Sequence, residues 1–324
     1  MRILNYHGVV DRKTDGTHYS YLFADVRDFE AQLVRLKRTA RPVSLAEVEA
    51  SLSDGHPLPE RAVHVSFDDG YRNNLVAAEI LDRQRVPWSL FVVVDAVFDG
   101  YRPWYLRMHD AIRVTNEVTM ADGTAVELAT TKQKRLFAKL AKAEIMAVPN
   151  ADQDGAVAKL LELPGMQTPS DTAWPLLSPD ELRELYAAGV EIGNHSARHR
   201  NLSRCRAGDL HAEVVGSRDR LARELGGPVR YFAYPDGRHN RRAHRAVGSS
   251  HSLALATWTL RGPLRPTALR RYEPLDDADL GPILESAEPW YGLGYAIRWA
   301  KWSLRWRMRE VELRARPSRR RLVP

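Results

Sequence analysis

Apolar runs of strand length alternate with stretches of helical period along most of the chain, and this alternation narrows the fold more than any other feature. "RILNYHGVV" (residues 2–10), "AVHVSFDDG" (62–70), "WSLFVVV" (88–94), "VEIGNH" (190–195), "VRYFAYPDG" (229–237), "SLALATW" (252–258) and "LRRYEPL" (269–275) read as strands. Between them, residues 26–39 place Phe29, Leu33 and Leu36 at helix spacing. Residues 73–84 and 208–225 read as helices, and "SPDELRELYAAG" is a helix that Ser178 or Asp180 is placed to cap and Gly189 to end. Alternating strands and helices predict parallel strands joined by crossover helices. Six or seven such units in one domain predict an α/β barrel rather than an open sheet.

Residues 100–175 break the rhythm. "VTMADGTAVEL" reads as a hairpin turning at Asp122 and Gly123, and residues 132–147 and 154–163 read as helices. This stretch is expected to be an insertion between two core strands.

The net charge of +7 is unevenly spread. Residues 290–324 hold nine Arg and one Lys against Glu310 and Glu312, a local +8 that leaves residues 1–289 close to neutral. A spread basic face for nucleic acid is therefore not expected. The chain divides into a barrel domain over residues 1–289 and a tail over 290–324. In the tail, Tyr295, Trp299, Trp302, Trp306 and Leu313 share one stripe at helical spacing, with Arg298, Lys301, Arg305 and Arg309 largely on other faces. A Trp stripe flanked by Arg predicts an amphipathic helix on an anionic membrane, with Trp299, Trp302 and Trp306 in contact with it. The competing reading packs the same stripe on the barrel or on a second subunit. One cysteine, Cys205, excludes an intrachain disulfide. The start lacks a signal-peptide apolar region and no apolar run reaches the ~18 residues of a spanning helix. The expectation is a cytoplasmic protein, on the inner face of the cell membrane if the tail docks there.

Two short motifs carry chemistry. "VSFDDGY" sets two carboxylates side by side at the end of a strand, where burial and mutual repulsion both oppose ionisation. "IGNHSARH" sets His195 and His199 four apart after another strand. Strand ends of an α/β barrel gather on one face, so Asp68, Asp69, His195 and His199 are expected to converge. One carboxylate then binds a divalent cation, whose charge keeps it ionised, and the other is free to act as a general base. Ser196, between the histidines, is expected to brace their loop.

"SFDDGY", "HSARH" and "FAYPDGR" together resemble the polysaccharide deacetylase family, the NodB-homology or carbohydrate esterase 4 enzymes, over roughly residues 1–275. The resemblance implies a distorted (β/α) barrel of about seven strands that removes acetyl groups from carbohydrates with one divalent metal, zinc or else cobalt or nickel. It makes Asp68 the base and Asp69, His195 and His199 the ligands. The late Leu-x-His that supplies the acid in many members is missing, since the last histidine is His251. "ILNYHGVV" resembles instead the Tyr-His start of the poly-N-acetylglucosamine deacetylase branch, which makes His7 the acid. Two departures stand out. Ala233 occupies the position of an arginine that orients the base, leaving Arg230, Arg270 and Arg271 as candidates. Asp236 stands where an aromatic residue is usual, although its backbone N–H can still serve the oxyanion; Tyr234 is placed with it at the substrate. The implied substrate is an acetylated amino sugar, free or lipid-linked. An amidohydrolase for non-sugar C–N bonds and a silent glycan-binding protein at the membrane are the competing readings.

Overall fold

The structure is a computed structural model that describes residues 1–11, 19, 22–257, 266–274, 280 and 283–284. Twelve strands occur among them: β1 (Arg2–Tyr6), β2 (Gly8–Val10), β3 (Phe23–Asp25), β4 (Arg41–Pro42), β5 (Ala62–Asp69), β6 (Trp88–Val92), β7 (Glu117–Thr119), β8 (Ala125–Glu127), β9 (Glu191–Asn194), β10 (Tyr231–Ala233), β11 (Leu253–Ala256) and β12 (Leu269–Arg270). Seven of them run parallel in the order β1-β5-β6-β9-β10-β11-β12. The ring shuts through Tyr272, just past β12. Its N–H donates to the Ile3 carbonyl at 2.8 Å and its carbonyl accepts from the Asn5 N–H at 2.8 Å. The expected α/β barrel of about seven strands is the observed fold.

The period of two along each strand sorts side chains into two layers. Ile3, Phe91, Tyr231, Ala233, Leu253, Leu255 and Leu269 pack with one another inside the barrel. Val63, Val65, Phe67, Leu90 and Val92 face outward onto Leu33, Leu36, Leu81 and Leu182 of the surrounding helices. The helix Leu45–Asp54 closes the N-terminal end of the barrel: Leu45 and Val48 enter the inner cluster, and the Leu45 and Ala46 N–H groups each donate to the Glu191 carboxylate at 2.8 Å. That leaves the strand C-terminal ends as the open mouth.

The insertion between β6 and β9 has a core of its own. The helices Trp104–Val114, Thr131–Ile145 and Gln153–Leu161 bury Trp104, Met108, Ile112, Phe137, Ile145 and Val157 together, joined by Phe23 and Tyr71 from the barrel side. The expected hairpin is β7–β8, paired antiparallel, with Gly123 at φ 84° in its turn. Two expectations need correction. The first strand is two, parted at His7, and the expected 208–225 helix is interrupted by a π-helical turn over Ala212–Gly216. Among the described residues no helix is long and apolar enough to cross a membrane. The expected tail helix, with Trp299, Trp302 and Trp306, lies outside the described residues.

Candidate active site

The C-terminal ends of five of the seven barrel strands bring polar residues to the mouth. His7 follows β1, Asp68 and Asp69 end β5, His195 follows β9, Asp236 lies just past β10, and Arg271 follows β12. Backbone strain collects at the same place. Among the described residues, eight non-glycines have positive φ, and Asp69 (74°), Ser196 (70°), His199 (55°) and Asp236 (52°) make half of them. Such conformations persist only where surrounding structure imposes them. After Asp69 the chain turns at once through Gly70, φ 76°, where a Cβ would stand 3.1 Å from Val92 Cγ1.

Asp68 is 3% exposed and is gripped by Arg271, Nη1 to Oδ1 at 2.7 Å and Nη2 to Oδ2 at 2.6 Å. Arg271 is equally buried; its Nη1 also donates to Asn5 Oδ1 at 2.7 Å. Burial alone would raise the Asp68 carboxyl, but the Arg271 guanidinium, aided by His195 and His7, outweighs it and holds the group well below the usual carboxylate range. Arg271 is therefore the arginine left open by Ala233. Arg230 instead pairs with Glu49, and the Arg270 guanidinium lies over the Tyr272 ring, 5.2 Å from its centroid.

Asp69 has different company. His195 Nε2 and His199 Nε2 both stand 3.5 Å from its Oδ1, and one donor atom from each of the three residues lies within 4.8 Å of the others. Oδ1 is buried without a hydrogen-bond partner. His195 Nδ1 lies 2.8 Å from the Ala233 carbonyl, which can only accept, so the proton is on Nδ1 and the Nε2 lone pair faces Asp69. Burial lowers the His199 pKa, favouring the neutral imidazole that a cation needs. A buried orphan oxygen and two imidazole Nε2 atoms converging on one point fit a divalent cation.

The loop between the histidines is braced from beneath. Ser196 Oγ accepts the His199 N–H at 2.9 Å. Buried Glu213, in the π-helical turn, accepts the Arg198 N–H on its carboxylate at 3.0 Å and the Ala197 N–H on its carbonyl at 3.2 Å. Asn194 Oδ1 accepts the Ser196 N–H at 2.9 Å.

His7 is half-buried at the mouth, its carbonyl accepting from Asn74 Nδ2 at 3.0 Å. The Asp236 carboxylate is neutralised by Lys142 of the insertion, Nζ to Oδ1 at 2.8 Å. Burial would raise its carboxyl; Lys142 and His199 outweigh that and hold it well below the usual range. Tyr234 does not join the set. Its side chain packs with Phe232, Leu210 and Ala243 in the layer outside the barrel, and its hydroxyl donates to the Thr267 carbonyl at 3.1 Å. The reason is the period of two, which turns Ala233 inward and its neighbours outward. Lys142, Trp104 and Tyr105 reach the site without any signal in the sequence, because they come from the insertion.

The sequence model of the family described as "Polysaccharide deacetylase" matches residues 55–254. No curated protein matches the chain. Among solved structures, the deacetylase PplD of Streptococcus pyogenes in complex with acetate is similar with 16% identity and a TM-score of 0.57, over 88% of this chain and 98% of that one. IcaB from Ammonifex degensii is similar with 18% identity and a TM-score of 0.57, over 88% and 97%. BC0361, a polysaccharide deacetylase from Bacillus cereus, has 17% identity and a TM-score of 0.55, over 88% and 68%. At these identities the likeness is one of fold.

Proposed function

The chain belongs to the polysaccharide deacetylase family, and from that membership we propose that it hydrolyses the N-acetyl group of an amino-sugar-containing glycan. The observation that carries the proposal is the pair of neighbouring carboxylates with divided surroundings: Asp68 on a guanidinium, Asp69 on two imidazoles. Asp69, His195 and His199 would hold a divalent cation, zinc by the chemistry of the donor set, which when bound supplies Lewis acidity to the attacking water and the acetyl carbonyl. Asp68, kept ionised by Arg271, accepts a proton from the attacking water. So weakly basic a carboxylate would suit the task if a bound cation acidified that water. Arg271 fixes both Asp68 oxygens, so the base keeps one orientation. The Asp236 N–H is the backbone donor assigned to the oxygen that becomes negative as the tetrahedral carbon forms. His7 protonates the departing nitrogen, and acetate and a free amine leave.

The similarity to IcaB and the Tyr-His start of the chain favour an N-acetylglucosamine-type polymer or its precursor. The Trp- and Arg-rich tail favours a substrate presented at the inner face of a membrane, such as a lipid-linked sugar. The deciding experiment incubates the full-length chain with zinc and a panel of N-acetylated oligosaccharides, free and lipid-linked, and reads loss of acetyl groups by mass spectrometry. Release from at least one amino sugar, abolished in Asp68→Asn, is expected. Activity confined to non-sugar amides would overturn the reading in favour of an amidohydrolase.

A further inference from the structure

We propose that Trp104 and Tyr105 of the insertion are positioning residues of the cation site, so that the insertion completes the metal centre it overhangs. The inference rests on the reading of Asp69, His195 and His199 as cation ligands. Trp104 is fully buried, and its indole Nε1 donates to the His199 carbonyl at 3.1 Å. That carbonyl belongs to a proposed ligand whose backbone sits at φ 55°, a conformation a non-glycine residue keeps only where its surroundings impose it. The indole supplies such a constraint from outside the loop. The next residue takes the other side of the same ligand: the Tyr105 ring meets the His199 imidazole edge-on, with centroids 4.8 Å apart and planes at 62°.

The Tyr105 hydroxyl is the more telling group. It is buried and makes no well-aligned hydrogen bond, although the Asp69 carboxylate and the Tyr71 hydroxyl both lie close enough to act on it, and such a group calls for a reason. The strongest charge acting on it is the Asp69 carboxylate, whose Oδ1 is itself without a donor. A phenol can donate and an ionised carboxylate can only accept, so the two are complementary. With Asp69 holding a cation, a donor to the same carboxylate would fix its plane. Tyr105 is placed to be that donor. Behind it, the Tyr71 and Tyr19 hydroxyls lie 3.0 Å apart and continue the polar file away from the mouth. The pair is held in place by the insertion's own core, since Trp104 and Tyr105 open a helix whose Met108 and Ile112 are buried with Phe137, Ile145 and Val157. The insertion therefore aims one donor at each of two ligand residues from a scaffold independent of the barrel strands.

Partners of this kind change metal affinity by about 10–100-fold. The test uses the full-length chain, as wild type, Tyr105→Phe and Trp104→Phe. Zinc affinity is measured by competition with a chromophoric chelator, the visible spectrum of the cobalt-loaded protein is recorded, and thermal unfolding is followed without metal. Tyr105→Phe, which keeps the ring, is expected to weaken zinc binding about tenfold or more, to shift the cobalt bands, and not to lower the metal-free unfolding temperature. Trp104→Phe should weaken zinc in the same direction; if it does not fold, Tyr105→Phe decides alone. Wild-type zinc affinity in Tyr105→Phe, with or without a change in unfolding temperature, overturns the proposal and leaves the ligand set standing. A wild-type chain that takes up no divalent cation overturns the ligand set and this proposal with it.

Discussion

Asp68 and Asp69 are one peptide bond apart, equally buried, and set to different work by what surrounds them. Asp68→Asn keeps the Arg271 side of the pocket filled but cannot accept a proton; activity is expected to fall by at least ~100-fold with zinc affinity unchanged, as read by kinetics beside a chelator titration. Arg271→Ala should be worse for the fold. It leaves a carboxylate 3% exposed with no guanidinium, which costs about 3–5 kcal/mol. The pH dependence should change sign with it. In the wild type the Asp68 carboxyl is depressed, so its contribution is complete above the ordinary carboxylate range and is lost only as pH falls through the native value. Without Arg271, burial dominates and raises the carboxyl, so stability from this group falls as pH rises; urea midpoints at acid and neutral pH separate the two cases. His64 provides a third test, far from the chemistry. It is fully buried in the barrel, bonded to the Val43 carbonyl and Ser89 Oγ at 2.8 Å each, and burial pushes its pKa down to about 4. The unfolded chain takes up a proton below ~6.5 and the native one does not, so stability should decline by about 3 kcal/mol as pH falls from there towards 4. His64→Gln should reduce that slope.

At the scale of elements, the capping box on Pro179–Ala187 is a local device that a sequence announces. Ser178 Oγ accepts the Glu181 N–H at 3.2 Å and Glu181 returns the bond to the Ser178 N–H at 2.9 Å, which settles the cap on Ser178 rather than Asp180. Ser178→Ala should lower the unfolding free energy by about 1 kcal/mol and leave turnover alone, by urea unfolding and kinetics respectively. The barrel strands were equally legible, because unbroken apolar runs ending in Asp, His or Pro mark buried parallel strands and their functional ends. The helix Trp104–Val114 was not legible. Eight of its eleven residues are buried, so it shows no apolar stripe against a polar face. The π-helical turn over Ala212–Gly216 was hidden for another reason: it changes which carbonyls stay free for the histidine loop without changing the spacing of apolar residues. Arg271 could be narrowed to three arginines but no further, since choosing it requires knowing that β12 lies against β1.

For the whole molecule, the division between a nearly neutral barrel domain and a tail of +8 makes an experiment simple. Full-length chain should sediment with anionic vesicles and less with neutral ones, weakening with salt, because each basic residue near such a surface contributes about 1 kcal/mol. A chain ending at Pro289 should remain in the supernatant. It keeps Leu280, Ile283 and Leu284, which pack on the barrel's outer layer, so it should stay folded. Equal pelleting of both chains, or of neither, removes the tail as an anchor. The closing of the ring has a meaning of another kind, one of timing. On the ribosome, the aspartate and histidines that would take the cation all emerge before Arg271, and Tyr272, which seals the last strand to the first, comes directly after it. A growing or prematurely ended chain can thus own every proposed ligand and still lack the guanidinium that grips the proposed base. On that proposal hydrolysis is interlocked with completion: the residue that holds Asp68 is delivered at the end of the strand that shuts the barrel.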